Sequence, residues 1–222
     1  MTLRTRNIHK AFLFIILSLL IGACAPEKAT EEAESVSSAP AMPDDEQLVE
    51  IGVQKLKDWS GHWQSKGANT GDFRLVQKHN YEPLELPSEN TLQENNPLRD
   101  YQIHHPTAEG VVDIYGYKIE IGEEQRVSFN PDSEVVYYRT DGMRERLLFI
   151  GPSGVFEDAV WVSEDHLLVA GHMQTEAGFE PVLWLINPEE REYSVFESNF
   201  STQAYAPESF LKVKLKGLDF SS

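Results

Sequence analysis

From Gly110 onward, apolar and polar side chains mostly alternate, and short turn sequences interrupt the alternation. A period of two is typical of β-strands with one buried face. The predicted strands are 111–121, 126–129, 134–139, 144–150, 155–162, 166–173, 180–186 and 192–197. Connections as short as Asn187-Pro188-Glu189-Glu190 require antiparallel neighbours, so residues 111–222 are predicted to form an antiparallel meander.

Two of these strands are apolar at consecutive positions. They are "HLLVAGHM" at 166–173 and "PVLWLIN" at 181–187. A strand of this kind needs cover on both faces, which a single solvated sheet does not provide. The pattern predicts either stacked sheets or a helix across one face.

The folded part is predicted to begin with a helix. Pro43 and the acidic residues that follow it, Asp44-Asp45-Glu46, are a helix start signal. Spacings of three and four then place five apolar side chains on one stripe, which are Val49, Val53, Leu56, Trp59 and Trp63. This stripe is available to cover a sheet. The pattern weakens over 71–106, where turns, loops and short helical pieces are expected.

The end of the chain alternates apolar residues with lysines. Leu211, Val213 and Leu215 alternate with Lys212, Lys214 and Lys216. We predict a half-buried strand with a basic solvent face. Its lysines could guard an exposed sheet edge or form a docking strip.

Residues 156–197 resemble one blade of a β-propeller. A Trp-containing strand, an acidic turn, a small-residue apolar strand, a strand ending in Ile186-Asn187-Pro188 and an edge strand follow in the order that such blades use. A closed propeller takes at least four blades of about 40–50 residues, so this chain cannot form a full ring. The predicted fold class is mainly β with an N-terminal helix, an antiparallel meander of blade-like sheets too short for a closed propeller.

The N-terminus has the three parts of a secretory signal over 1–23: basic residues, an apolar run from Ala11 to Ile21 and small residues before Cys24. The run is about half of the ~20 residues that a membrane-spanning helix needs. Ile21-Gly22-Ala23-Cys24 resembles the lipobox of bacterial lipoproteins. The resemblance implies cleavage before Cys24, lipidation of its thiol and a place in the cell envelope. Alanine rather than aspartate after Cys24 favours the outer membrane over the inner one.

Three segments follow from these patterns. Residues 1–23 are the signal peptide, and 24–43 are the lipidated cysteine and an acidic spacer too poor in apolar side chains to fold. Residues 44–222 are predicted to be a single globular domain, with helix and loops over 44–110 and antiparallel strands over 111–222.

The net charge of −17 argues against a nucleic-acid partner, because phosphates require a basic surface. It permits a cationic ligand or a basic protein partner. Cys24 is the only cysteine, so the domain has no intrachain disulfide and depends on its packed core.

Two clusters invite a chemical role. Trp59, His62 and Trp63 could form a saccharide-stacking platform, or the indoles could be buried against a sheet. Glu157, Asp158 and Asp165 could form an acid pair or a calcium site, although consecutive strand residues point to opposite faces. At best one of the first two can therefore join Asp165 or His172.

Catalytic motifs are absent from the sequence, and we predict no metal and no cofactor. The catalytic residues of any activity remain unassigned. We favour a membrane-anchored binding or scaffold module with a protein partner in the envelope. The alternative is an envelope hydrolase with a carboxylate-based site, which would leave no local motif on strands.

Overall fold

The computed structural model describes residues 43–87, 95–107, 110–122 and 126–220. The described residues belong to one compact unit. The predicted signal peptide, Cys24 and all but the last residue of the predicted spacer lie outside them. Within the described part of the chain, no helix has the length and apolar character needed to cross a bilayer.

Antiparallel sheets are the main regular structure of the described chain. The strands are β1 Arg74–Asn80, β2 Leu84–Pro87, β3 Ile103–His104, β4 Val111–Asp113, β5 Ile119–Ile121, β6 Val127–Phe129, β7 Ser133–Tyr138, β8 Met143–Ile150, β9 Gly154–Trp161, β10 Leu167–Thr175, β11 Gly178–Asn187 and β12 Glu192–Glu197. The helices are α1 Asp45–Lys55, α2 Lys57–Gln64 and α3 Ser209–Lys214, with a 3-10 turn at Arg99–Tyr101. The predicted mainly β class is confirmed.

The strands form two five-stranded sheets and one hairpin. Sheet A has the spatial order β1-β12-β11-β10-β9, and sheet B has the order β2-β8-β7-β4-β3. Strands β5 and β6 pair separately. Strands β9 to β12 are neighbours in chain order, which is the predicted blade-like meander, and β1 adds a fifth strand beside β12.

Sheet A is the middle of three layers. Along β10, Leu167 and Val169 belong to a core shared with sheet B, whereas Leu168 and Ala170 belong to a second core shared with the helices. All four side chains are fully buried. The consecutive apolar residues of this strand therefore have cover on both faces, from a stacked sheet on one side and helices on the other.

The predicted first helix is two helices. Asp44 caps α1 in a capping box with Gln47, and the chain departs from helical geometry at Leu56, between α1 and α2. Most of the predicted stripe still faces sheet A, because Leu56 takes part in the same helix-side core as Trp59 and Trp63. The short break turns the helical layer without exposing its apolar side.

The predicted strand 111–121 is wrong as a continuous element. It ends at Asp113, and pairing resumes only at Ile119. Asp113 Oδ1 accepts hydrogen bonds from the backbone N–H groups of Tyr115 and Gly116, both at 2.9 Å. A carboxylate that binds the backbone two and three residues on closes a turn, and that turn replaces the middle of the strand.

Two further elements differ from the sequence prediction. The segment 71–106, expected to be loops and helical pieces, supplies β1 to sheet A and β2 and β3 to sheet B. The last predicted strand is helix α3, in which Leu211 and Leu215 are fully buried but Val213 is 55% exposed. Residues four apart share one face of a helix, so the positions of Leu211 and Leu215 fit a helix as well as they fit the alternation of a strand.

Candidate functional site

One of the fully buried polar groups among the described residues is the carboxylate of Glu157 on β9. Its Oε2 accepts hydrogen bonds from the indole Nε1 of Trp59 at 2.8 Å and of Trp63 at 3.0 Å. Its Oε1 accepts from the Tyr205 hydroxyl and lies 3.1 Å from His172 Nδ1. Both oxygens therefore have two partners each, as a buried charge requires.

Three elements bring this network together. Trp59 and Trp63 are four residues apart on α2, so both indoles point to the same face of the helix. Trp63 stacks on the Tyr205 ring with 4.3 Å between centroids and an interplanar angle of 13°. A bulge in β9, where Phe156 and Asp158 pair with adjacent residues of β10, leaves Glu157 without a ladder partner. Burial and the Glu157 charge raise the pKa of Tyr205 far above its usual range, so its hydroxyl stays a donor.

The structure corrects the saccharide platform considered for Trp59, His62 and Trp63. Both indoles are fully buried, so neither has a face open to a sugar. His62 packs edge-on against Phe210, with ring centroids 5.4 Å apart, and its pKa is lowered chiefly by burial. The other interpretation, tryptophans packed against a sheet, describes this cluster.

The carboxylates near Glu157 do not form an acid pair. Asp158 forms an ion pair with Lys214 of α3, with 2.7 Å between Oδ2 and Nζ. Burial raises the pKa of Asp158, and Lys214 opposes that shift. Asp165 is exposed in the turn before β10. Of the predicted combinations, the Glu157–His172 contact is formed, and with 1% exposure of His172 it is closed to any substrate.

A second group of polar residues lies on the side of sheet B that faces away from sheet A, which we call the outer face. Strand pairing in sheet B aligns the side chains of the outer face in two rows across the strands. These rows are Leu84–Arg146–Val136–Asp113 and Leu86–Arg144–Tyr138–Val111. Neither hydrophobic core of the described residues includes these side chains. Large apolar residues around the rows are 40–47% exposed, namely Leu84, Leu86, Tyr117 and Phe149.

The centre of the outer face holds a cavity of about 280 Å³. Its walls are Asp113, Gly116, Tyr117, Glu134, Val136, Tyr138 and Arg144. Glu134 is 1% exposed, and its two oxygens accept from the guanidinium groups of Arg144 and Arg146. Sequence reasoning missed this site, because it placed Asp113 inside a long strand. The available signal was the glycine three residues after Asp113, because Asp at the first position and Gly at the fourth are typical of a turn.

A larger groove of about 660 Å³ runs between α1 and sheet A, with Val49, Phe73 and Phe196 among its walls. Thr70, a buried polar residue in its wall, accepts a hydrogen bond from Gln64 at 2.8 Å. Across the described ranges, no group of three or more His, Cys, Asp or Glu side chains is arranged to hold a metal ion.

These observations define a class: a two-sheet antiparallel domain with helices on one side and a partly exposed sheet face with a polar cavity on the other. A scan against models of known protein families, a search of the curated proteins and a search of the solved structures find no match to this chain. The functional argument therefore rests on the chain's own residues.

Proposed function

We propose that this protein is a lipid-anchored binding or scaffold module of the bacterial cell envelope, and that the outer face of sheet B is its partner-binding surface. The observation that carries the binding role is the combination, on one sheet face, of exposed large apolar residues and a cavity with a buried carboxylate. The proposed partner is another envelope protein.

The anchoring part of the proposal is supported by the sequence around Cys24. A basic start, a short apolar run and Ile21-Gly22-Ala23-Cys24 follow in the order of lipoprotein signals. Each buried methylene of an acyl chain contributes ~0.8 kcal/mol, and two chains anchor a protein stably where one does so marginally. The outer membrane is favoured, because Ala25 follows the cysteine.

A substitution at Cys24 tests the anchor. The Cys24→Ser variant is expected to lose incorporation of labelled palmitate and to leave the membrane fraction, whereas the parent protein stays there. A variant that still fractionates with membranes would show that the lipobox interpretation is wrong.

The binding part is supported by the contrast between the two sheets. Strands β10 and β11 of sheet A have both faces inside hydrophobic cores, whereas the outer face of sheet B presents Leu84, Leu86 and Phe149 at 43–47% exposure. Exposed apolar side chains bordered by polar residues are typical of protein-binding surfaces. A shallow depression of about 280 Å³ beside Tyr81, Leu84 and Phe149 extends this surface toward β2.

Site-specific photo-cross-linking in the native envelope tests the surface. A photoreactive residue at Phe149 is expected to give one dominant adduct, and the same residue at exposed Ile51 of α1 serves as the matched control. A second substitution, Leu86→Asp, is expected to abolish the Phe149 adduct. Equal adducts from both positions, or an adduct that persists with Leu86→Asp, would contradict a binding role for the outer face.

The second candidate is an envelope hydrolase, and one observation favours it. Asp113 lies in a cavity, and burial raises the pKa of its carboxyl, as in acids that transfer protons. Its nearest carboxylate neighbour in the cavity, Glu134, is held by two guanidinium groups and is not free to act as the partner acid. If the protein releases soluble fragments from peptidoglycan and Asp113→Asn abolishes that release, the hydrolase replaces the binding module.

A further inference from the structure

The groove between α1 and sheet A has the size of a small-molecule binding site. Its volume of about 660 Å³ lies within the range of about 300–1,000 Å³ that is typical of such sites. Three parts of the chain form its walls, namely α1, the segment from the end of α2 to the start of β1, and Phe196 of β12. The groove lies on the helix side of sheet A, so it is separate from the outer face of sheet B.

The inner walls of the groove are apolar. Val49 and Val53 are one turn apart on α1 and both line it, as do Phe73 and Phe196. Val49, Phe73 and Phe196 belong to the helix-side core, and Val53 packs against that core, so their positions are fixed by packing. These walls match a ligand that has an apolar ring or chain.

The wall formed by α1 is fixed at both of its ends. At the start of the helix, Asp45 accepts a hydrogen bond from the Ser194 hydroxyl of β12 at 2.9 Å. At its end, the Lys55 ammonium group donates to the carbonyl oxygen of Trp161 on β9 at 3.0 Å. A helix tied to two strands of the sheet keeps the groove open, so a ligand enters a site that needs little rearrangement.

The charges at the groove favour a cation. Glu46 and Glu50 are one turn apart on α1 and both line the groove, whereas Arg74 is the only cation among its described lining residues. The ammonium group of Lys78, which also interacts with Glu46, is bound to Asp45 at 2.6 Å. The lining residues therefore carry one more negative than positive charge, and both glutamates are exposed at the rim.

The combination of apolar walls and an acidic rim selects a class of ligand. A metal ion needs several ligands, and no group of three or more suitable side chains occurs in the described part of the chain. A stable protein interface covers about 800 Å² on each partner, whereas this site is a concave groove with a polar rim. We propose that the groove binds an amphipathic amine, a small molecule with an apolar ring or chain and one positively charged amino group. This ligand site goes beyond the proposed partner-binding surface and does not depend on it.

The test titrates the full chain in phosphatidylcholine nanodiscs with phenylbutylamine and follows the methyl NMR signals of valine and leucine. Saturable shifts are expected at Val49 and Val53 of the groove, and none at Leu84 and Leu86 of the outer face. Phenylbutyrate has the same ring and a similar chain but ends in a carboxylate. It is expected to bind at least about threefold more weakly, because its charge is repelled by the glutamates.

A variant without the two rim charges tests the source of this preference. Glu46→Gln combined with Glu50→Gln is expected to weaken the binding of phenylbutylamine at least about threefold, without weakening that of phenylbutyrate. The control Glu176→Gln removes one charge from the exposed hairpin between β10 and β11 and is expected to leave both affinities unchanged.

A second variant tests the position of the site. Val53→Phe enlarges a side chain of the groove wall and is expected to abolish the binding of both compounds. The matched control Ile51→Phe makes a similar change on the same helix at a side chain that is 38% exposed and does not line the groove. It is expected to keep the affinity of the parent protein.

Four outcomes overturn the proposal. They are the absence of saturable shifts at Val49 and Val53, equal affinities for phenylbutylamine and phenylbutyrate, unchanged amine affinity without the two glutamates, and amine binding that Val53→Phe does not weaken. If Val53→Phe does not fold, the glutamate variant decides the question. Cross-linking at Phe149 reports on sheet B alone, so a failure there leaves this proposal unaffected.

Discussion

Two buried carboxylates, Glu157 and Asp113, connect parts of the chain over different distances. Glu157 has two partners on each oxygen, and they come from distant segments. This arrangement joins α2, β9, β10 and the segment around Tyr205. Asp113 Oδ1 accepts two backbone hydrogen bonds from the residues that follow it in the chain. The first carboxylate therefore links separate elements, whereas the second closes a single turn.

Glu157→Gln is expected to destabilise the protein by about 1–3 kcal/mol, because the amide keeps one acceptor oxygen for the two indole N–H groups and replaces the other oxygen, which accepts from the Tyr205 hydroxyl, by an NH₂ group. Chemical denaturation measures this change in the free energy of unfolding. The exposed control Glu176→Gln is expected to stay within about 0.5 kcal/mol of the parent protein. A Glu157→Gln variant as stable as this control would show that the network is not a stabilising element.

Asp113→Asn is expected to have the opposite effect at pH 7, a gain of about 0.5–2 kcal/mol. Burial raises the pKa of Asp113 above its ordinary value of 3.8, and the charge of Glu134 adds to the rise. The N–H groups of Gly116 and Tyr115 and the charge of Arg144 lower this pKa, but they do not cancel the effect of burial. The folded protein then holds this proton more tightly than the unfolded chain does. Its stabilising contribution is present at low pH and is lost as the pH rises through the raised pKa.

The advantage of Asp113→Asn over the parent protein should accordingly shrink as the pH falls toward 3.8. Denaturation curves of both proteins over pH 4–7 measure this difference. A difference that is constant with pH, or a parent protein that is the more stable at pH 7, would show that Asp113 is not a strained acid in the folded state.

The sequence predicts some of these residue roles and not others. Alternation along β9 limits Glu157 and Asp158 to opposite sides and allows the contact between Glu157 and His172, which the structure contains. The convergence of Trp59, Trp63 and Tyr205 on one carboxylate depends on packing between distant segments, so no local pattern reveals it. Asp113 was missed because its turn lies within an alternating stretch.

At the scale of elements, the glycines of the first two helices occupy different environments. A Cβ on Gly52 of α1 would collide with the Leu168 side chain of β10 and lie 2.9 Å from Val162 Cγ1. A Cβ on Gly61 of α2 would meet no atom within 4 Å. The first glycine therefore sets how closely the helix approaches sheet A, and the second is only a weak helix former.

Gly52→Ala is expected to lower the melting temperature, because the new methyl group would collide with Leu168, although alanine favours helix. Gly61→Ala is expected to raise the melting temperature, with a gain of up to about 1 kcal/mol in the free energy of unfolding. The two variants make the same chemical change, so each is the control for the other in thermal unfolding. If both variants raise the melting temperature, α1 does not pack against Leu168 as closely as the structure has it.

The sequence predicts those elements whose turns and apolar patterns can be recognised within a short stretch of the chain. Strands β7 to β12 are joined by short turns and have strong apolar patterns, and all of them appear near the expected positions. Strand β1, "RLVQKHN", is mostly exposed and is recognisable only through its pairing with β12. Helix α3 was predicted as a strand because its leucines and lysines satisfy both the period of two and the four-residue spacing.

At the scale of the whole molecule, the three layers predict a gradient of local stability. Strands β10 and β11 lie inside sheet A with both faces buried, whereas β2 is an exposed edge strand of sheet B. Amide hydrogen exchange is expected to be slowest in β10 and β11 and fastest in β2 and β3, because opening an edge exposes little apolar surface. Protection of β2 equal to that of β10 would mean that the outer face is covered in solution.

The pairing of β1 with β12 also has a consequence for the order of events during synthesis. Arg74 lies opposite Glu197, and β2 pairs with β8 in the same long-range manner, with Leu84 opposite Arg146. A chain that emerges with its N-terminus first holds β1 without a partner until almost the whole protein has appeared. Contacts that distant in sequence form slowly. Consecutive strands such as β9 and β10 can pair earlier, whereas the β1 edge of sheet A is completed only after β12 has been synthesised.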